Sequence, residues 1–392
     1  MPAPHDLEAR LTERRANALY RSRLILESPQ GVEVLIGDER LLSFCSNDYL
    51  GLAQHPDVIA AFQRGAERYG VGAGASHLIT GHSRAHHALE EELAEFVQCE
   101  RALLFSTGYM ANLGVVTALS DRHGSIYEDR LNHASLIDAA RLARVRVKRY
   151  AHVDVTQLRR LLDEKPGGGR LITTDAVFSM DGDLAPLLEL AALAAKSDAR
   201  LIADDAHGLG VLGAHGRGSL EHWGVPAKSP VVLIGTLGKA LGTFGAFVAG
   251  DATLIETLIQ QARTYTYTTA LPPAVAEATR ASLRIVREEP WRRQRLRDLV
   301  ARFRAQASAL GLTLAPSDTP IQPVILGTAQ RALAAAEQLR SRGILVPAIR
   351  PPTVAQGSAR LRITFSAAHQ DVHVDRLLEA LALIPRHDEL TR

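Results

Sequence analysis

The sequence predicts an α/β protein, with a large, mostly parallel sheet flanked by helices and a smaller α+β domain at the C-terminus. Two patterns predict it. From about Asn47, short apolar runs rich in β-branched residues alternate with stretches of helical periodicity, as in a parallel sheet built from strand–helix units. After Pro272-Pro273 that rhythm gives way to a long Arg-rich helical stretch, 290–310, and then to shorter strand-like pieces. The organisation expected is a helix-and-hairpin segment over 1–46, a large α/β domain over 47–285 and an α+β domain over 286–392. At 392 residues and 46% hydrophobic content, the chain can bury a large core in more than one domain.

Taken in order, Leu7 to Arg23 is rich in Ala, Arg and Glu and free of Gly and Pro, which predicts a helix. Val32–Ile36 and Arg40–Phe44, joined by Gly37-Asp38, read as a hairpin. Ser83 is placed to cap a helix with Leu89, Leu93, Phe96 and Val97 on one face. Strands are expected at 102–105, 125–127, 145–147, 171–173, 201–203, 231–234 and 244–250. In the C-terminal domain they are expected at 321–326, 344–346 and 360–365, and the arginines of 292–304 read as a solvated helix face.

Composition excludes several classes. A formal net charge of +2 gives no case for nucleic acid or a membrane surface, and no stretch has the length and apolarity of a membrane span. Cys45 and Cys99 stand far apart, which suits neither a disulfide framework nor a metal site, and no metal is expected. The polar N-terminus lacks the apolar core of a secretory signal, so a reduced, cytoplasmic setting is expected.

The chemistry gathers where predicted strands end. Val231–Ile234 runs into Gly235-Thr236-Leu237-Gly238-Lys239, and Leu201-Ile202-Ala203 runs into Asp204-Asp205-Ala206-His207-Gly208. Ligands of open α/β sheets bind at such carboxyl ends. A Gly-flanked lysine beside this acidic strand end points to an amine that forms a Schiff base with pyridoxal phosphate. Asp204 would keep the cofactor's pyridine nitrogen protonated, and His207 could reach its phenolic oxygen. Ser106-Thr107-Gly108-Tyr109 follows a strand and opens a helix, whose amino end favours a phosphate. His133 offers a ring that can stack on another, and Ser179 offers a hydroxyl in a turn. Arg350, Arg360 and Arg362 could clamp a carboxylate.

These residues, with Ser46-Asn47-Asp48-Tyr49-Leu50-Gly51-Leu52, the Gly70–Gly81 loop, 89–94 and 178–183, resemble the α-oxoamine synthases, pyridoxal-phosphate enzymes of fold type I. The likeness covers nearly the whole chain, and the segments 348–354 and 359–362 favour the alanine-using branch over its glycine-using relatives. The resemblance implies a fold-type-I architecture with a large sheet of the seven-stranded type, and a homodimer with active sites at the subunit interface. It also implies L-alanine and pimeloyl-CoA or pimeloyl-acyl-carrier protein as substrates. By position, Lys239, His133 and Asp204 would be catalytic. Gly108, Tyr109 and Thr236 would hold the phosphate, and Ser179 and His207 the phenolic oxygen. Asn47 and Arg362 would bind the amino-acid carboxylate, with His133 also facing substrate; Arg21, Arg350 and Thr353 would lie near the acyl chain. Ala355, His77 and Leu237 depart from the family's usual Pro, Arg and Phe.

Three alternatives stand beside this reading. One is a glycine C-acyltransferase or 5-aminolevulinate synthase. Another is a non-catalytic relative. A third is a nucleotide-binding protein suggested by Gly70-Val71-Gly72-Ala73-Gly74-Ala75.

Overall fold

The computed structural model describes residues 6–17, 19–164 and 167–385. In chain order the strands are β1 (Glu33–Ile36), β2 (Glu39–Ser43), β3 (Arg101–Phe105), β4 (Ser125–Asp129), β5 (Arg146–Tyr150), β6 (Arg170–Asp175) and β7 (Arg200–Asp204). They continue as β8 (Val231–Thr236), β9 (Ala246–Gly250), β10 (Ile321–Gly327), β11 (Ile344–Leu345), β12 (Ala348–Ile349) and β13 (Ala359–Thr364). The chain divides into two compact units, one spanning Asn47–Asp298 and the other joining the residues up to Ser46 to those from Leu299 onward.

The larger unit is built on a seven-stranded sheet in the order β3-β9-β8-β7-β6-β4-β5, parallel except for β9. Strand alternation sends neighbouring side chains to opposite faces. Ile126, Leu171 and Ile202 enter one core with Val115 and Val116 of the helix Gly108–Leu119 and Leu136 and Ala139 of the helix Ala134–Ala143. Tyr127, Ile172 and Leu201 enter the other with Leu158, Leu162, Leu187 and Leu190. Fully burying each such Leu or Ile contributes roughly 1.5–3 kcal/mol. Both faces are therefore covered, which is why these strands read as continuous apolar runs. The Gly-rich segment from Gly70 follows the helix Pro56–Tyr69, not a strand, so it lacks the context of a dinucleotide fingerprint.

In the smaller unit, β2 pairs antiparallel with β1 and parallel with β11. There, β10, β13 and β12 form a second antiparallel sheet. The N-terminal hairpin joins C-terminal residues because Leu42 N–H donates to Gly343 O and Phe44 N–H to Leu345 O.

Two expectations need correction. The first helix covers only Leu7–Ala16 and ends at Asn17, with Ala18 outside the described residues. None of its residues is buried, so no packing extends it toward Arg23. The arginines of 292–304 are not a uniformly solvated face. Arg293 is buried and donates to Val286 O (2.7 Å) and Ala214 O (3.3 Å), while Arg302 grips Asp375 at 2.7 and 2.9 Å. Helical spacing turned these guanidinium groups toward neighbouring elements, a fact that charge counting cannot see.

A half-buried ion triad links the segment after β5 to Asp129 at the end of β4 and to the loop after β6. His152 lies 3.1 Å from Asp129 Oδ1 and 2.7 Å from Asp183 Oδ2. Burial alone would lower its pKa, but the two carboxylates outweigh it and raise it to about 9. With the folded value above the ordinary 6.5, the triad's stabilisation is complete below that pH and is lost as pH rises through about 9. His152→Asn should therefore destabilise the protein by about 2 kcal/mol in weakly acid buffer. Thermal midpoints of variant and wild type should converge in strongly alkaline buffer.

Candidate active site at the carboxyl edge of the sheet

Five parallel strands, β3, β4, β6, β7 and β8, end on one edge of the sheet. Each leads into a segment singled out from the sequence: Gly108 follows β3, His133 follows β4, Ser179 follows β6, His207 follows β7 and Lys239 follows β8. A parallel sheet places all such loops together, and that is how residues 131 positions apart in the chain, Gly108 and Lys239, share an edge.

Lys239 Nζ lies 2.9 Å from His207 Nε2, and His207 Nδ1 lies 2.6 Å from the Tyr49 hydroxyl. Tyr49 in turn donates to Asn47 Oδ1 at 3.1 Å. Since that hydroxyl proton is spent on Asn47, His207 Nδ1–H donates to Tyr49 and Nε2 accepts from Lys239. One chain of hydrogen bonds thus connects Asn47, Tyr49, His207 and Lys239.

A second chain begins at Asp204, which is only 7% exposed. Its Oδ1 accepts from Ala206 N–H at 3.0 Å and its Oδ2 from Asn112 Nδ2 at 2.6 Å. The same Asn112 amide donates to Ser135 Oγ (2.8 Å), which lies 2.7 Å from His133 Nδ1. Ser135 N–H also donates to His133 Nδ1, so the ring proton resides on Nε2. Part of the His133 surface stays open to solvent, yet crowding by its neighbours lowers the imidazole pKa. Asp204 opposes that shift and Lys239 adds to it, which places both charges within reach of the ring. Asp175, opposite Asp204 in the β6–β7 register, is buried and pushed well above the ordinary carboxyl range by burial and by Asp204. Burial and the neighbouring carboxylate therefore both favour the neutral form of Asp175.

The remaining predicted residues sort by unit. Thr236 ends β8, where its hydroxyl donates to Gly245 O at 3.1 Å. Gly108 opens its helix, whose Thr107 cap accepts from Met110 N–H. A Cβ at Gly108 would meet nothing within 4 Å, leaving the amino end of the helix approachable. Tyr109 is 42% exposed and donates to Asp138. Ser179 is half-buried in the loop after β6. In the smaller unit, Arg21 donates to Thr353 Oγ1 (3.1 Å) and Arg350 to Tyr20 O (3.0 Å), so Arg21, Arg350 and Thr353 converge. Arg362 is buried in β13, paired in register with Pro323.

Three residues of the two chains, Tyr49, Asn112 and Ser135, were not assigned roles from sequence, and neither was Asp175 beside them. Tyr49 lies within a quoted motif, but its partner is 158 positions away. Asn112 and Asp175 carried no local signal beyond a helix turn and a strand end.

The donor set suits pyridoxal phosphate: an amine, a shielded carboxylate, an imidazole with a free face and an open helix amino end. A sequence model described as "Aminotransferase class I and II" matches residues 39–381. The 8-amino-7-oxononanoate synthase of Methylococcus capsulatus is 62% identical over 96% of this chain and 97% of its own. That of Thioalkalivibrio sulfidiphilus is 60% identical over 96% of each chain. Among solved structures, Sphingomonas wittichii serine palmitoyltransferase superposes with a TM-score of 0.92 at 31% identity, covering 97% of this chain and 98% of its own. The 8-amino-7-oxononanoate synthase from Francisella tularensis gives 0.77 at 32% identity, over 87% and 97%. The chain belongs to the class I and II aminotransferase family, whose fold is the pyridoxal-phosphate fold type I, and within it to the branch of the 8-amino-7-oxononanoate synthases.

Tyr49→Phe should deprive the His207 Nδ1–H of its acceptor. We expect kcat/KM to fall about tenfold, equivalent to about 1.4 kcal/mol, with little change in thermal midpoint. Steady-state kinetics beside a melting curve checks this; an equal loss in both would make Tyr49 merely structural.

Proposed function

We propose that the chain condenses L-alanine with a pimeloyl thioester, on coenzyme A or on an acyl-carrier protein, with pyridoxal phosphate as cofactor. The products are 8-amino-7-oxononanoate, carbon dioxide and the free thiol. The observation that carries this is the paired network at one sheet edge, Lys239–His207–Tyr49 and Asp204–Asn112–Ser135–His133, in a chain 62% identical to a protein of that name.

When bound, the cofactor supplies an electron sink for negative charge at the alanine α-carbon. The proposed roles of the chain's own residues are these. Lys239 Nζ would hold the cofactor through its aldehyde group and would take the alanine α-proton, with His207 Nε2 orienting the amine. Asp204, buried and held by two donors, would keep a proton on the cofactor's pyridine nitrogen. His133 would cover the cofactor ring, leaving its Nε2–H for the substrate. Gly108, Tyr109 and Thr236 take the phosphate, and Ser179 with His207 the phenolic oxygen. Asn47 and Arg362 bind the alanine carboxylate; Arg21, Arg350 and Thr353 serve the acyl chain.

Exposed apolar side chains at Val71, Ile79 and Tyr267 support a homodimer, since such residues favour burial against a partner. Two free cysteines support a cytoplasmic setting. Among the described residues, no helix is long and apolar enough to cross a membrane.

Lys239→Ala should remove the near-visible absorption band of bound cofactor and lower turnover by on the order of 10²–10⁴-fold. Retention of both would overturn its assignment. A thiol-release assay pairing alanine or glycine with several acyl thioesters separates this function from its glycine-using relatives. Alanine with the pimeloyl thioester should be the preferred pair.

A further inference from the structure

Away from the sheet's carboxyl edge, a cavity of about 480 Å³ is lined by His77, His82, His87, Glu90, Arg101 and Tyr265, among others. One ligand atom each from His82, His87 and Glu90 lies within 4.8 Å of the other two. His87 and Glu90 are three residues apart on the helix Arg84–Val97, hence on one face. His82 follows the π-helical turn His77–Gly81.

We propose that His82, His87 and Glu90 bind a borderline divalent transition-metal ion, with zinc the best match. His82 Nε2 is 3.5 Å from His87 Nδ1 and 3.9 Å from Glu90 Oε2. The first spacing is long for a hydrogen bond. It is close to the roughly 3.3 Å between two nitrogens each about 2.05 Å from one tetrahedral zinc ion.

The second polar atom of every ligand is already engaged. His82 Nδ1 lies 3.0 Å from His77 Nδ1, and His77 stacks on Tyr265 with centroids 4.9 Å apart. His87 Nε2 lies 3.5 Å from Glu91 Oε1. Glu90 Oε1 accepts from Leu104 N–H at 2.9 Å. Metal-binding histidines ordinarily spend their other nitrogen on such a partner, which fixes the ring and its tautomer. His86 sits close by but is excluded as a ligand. Its Nε2 donates to Leu271 O (2.7 Å) and its Nδ1 accepts from Ser83 N–H (3.0 Å).

Two imidazoles, one carboxylate and a position open to the cavity make the ligand count of a zinc site that retains an exchangeable ligand. A nitrogen-rich set disfavours calcium and magnesium, which take oxygen. The ion would brace the turn His77–Gly81 against the helix Arg84–Val97 and, through Glu90 and Leu104, against β3. None of the three ligands belongs to the network around Lys239.

The test uses full-length, cofactor-loaded protein stripped with a chelator and titrated with zinc by calorimetry. Expected are one zinc ion per chain at micromolar concentration and a raised thermal midpoint. His87→Ala, on an exposed side chain, and Glu90→Gln should each weaken binding at least about tenfold and abolish the thermal shift. The cofactor spectrum of both variants should match wild type, showing an intact fold. Zinc binding that never saturates below millimolar levels would overturn the proposal. So would an affinity that is unchanged in both variants.

Discussion

The site depends on one buried carboxylate. Asp204 stands at the end of a central strand, shielded from water, and its two oxygens are held by a backbone N–H and by Asn112. A buried carboxylate is tolerated there because donors surround it; across the strand pairing, burial and Asp204 push Asp175 toward its neutral form. From Asp204 the network reaches His133 through Asn112 and Ser135, so the strand end, two helices and a loop are tied to one point. The sheet beneath is what allows it, since apolar packing on both faces leaves the carboxyl edge as the place where polar groups converge.

Lys239 is governed differently. Its amine meets a neutral acceptor, His207, whose tautomer is set two bonds away by Tyr49 and Asn47. The proton inventory of that chain allows a single direction, from Lys239 toward Asn47. An amine so oriented can bond an aldehyde or take a proton without reorganising its surroundings, and preorganisation of this kind costs nothing at the moment of reaction. Asp204 and Lys239 belong to separate hydrogen-bond chains, one through Asn112 and the other through His207.

Much of the fold was legible because its elements obey strong local rules. The strands β6, β7 and β8 are buried on both faces, the hairpin has its Gly37-Asp38 turn, and Ser83 does cap its helix. Legibility failed where the deciding contact is distant. The first helix stops at Ala16 for want of anything to pack on, and the arginines near 292–304 find carbonyls and carboxylates that no local pattern announces. Among site residues, Asn112 and Tyr49 escaped notice because an amide in a helix and a tyrosine in a loop are commonplace until their partners are seen.

Taken by itself, the sequence determined the α/β class, the strand ends where polar groups gather and the lysine singled out at one of them, Lys239. Those follow from short-range periodicity and from residue types whose chemistry is particular. Only the tertiary structure decided which nitrogen of His207 and of His133 bears a proton, that Asp175 is pushed toward its neutral form beside Asp204, and that His82 meets His87 and Glu90 at one point. Each of these depends on hydrogen-bond geometry and local burial among residues that only folding brings within a few ångströms of each other, and neither quantity exists along an extended chain.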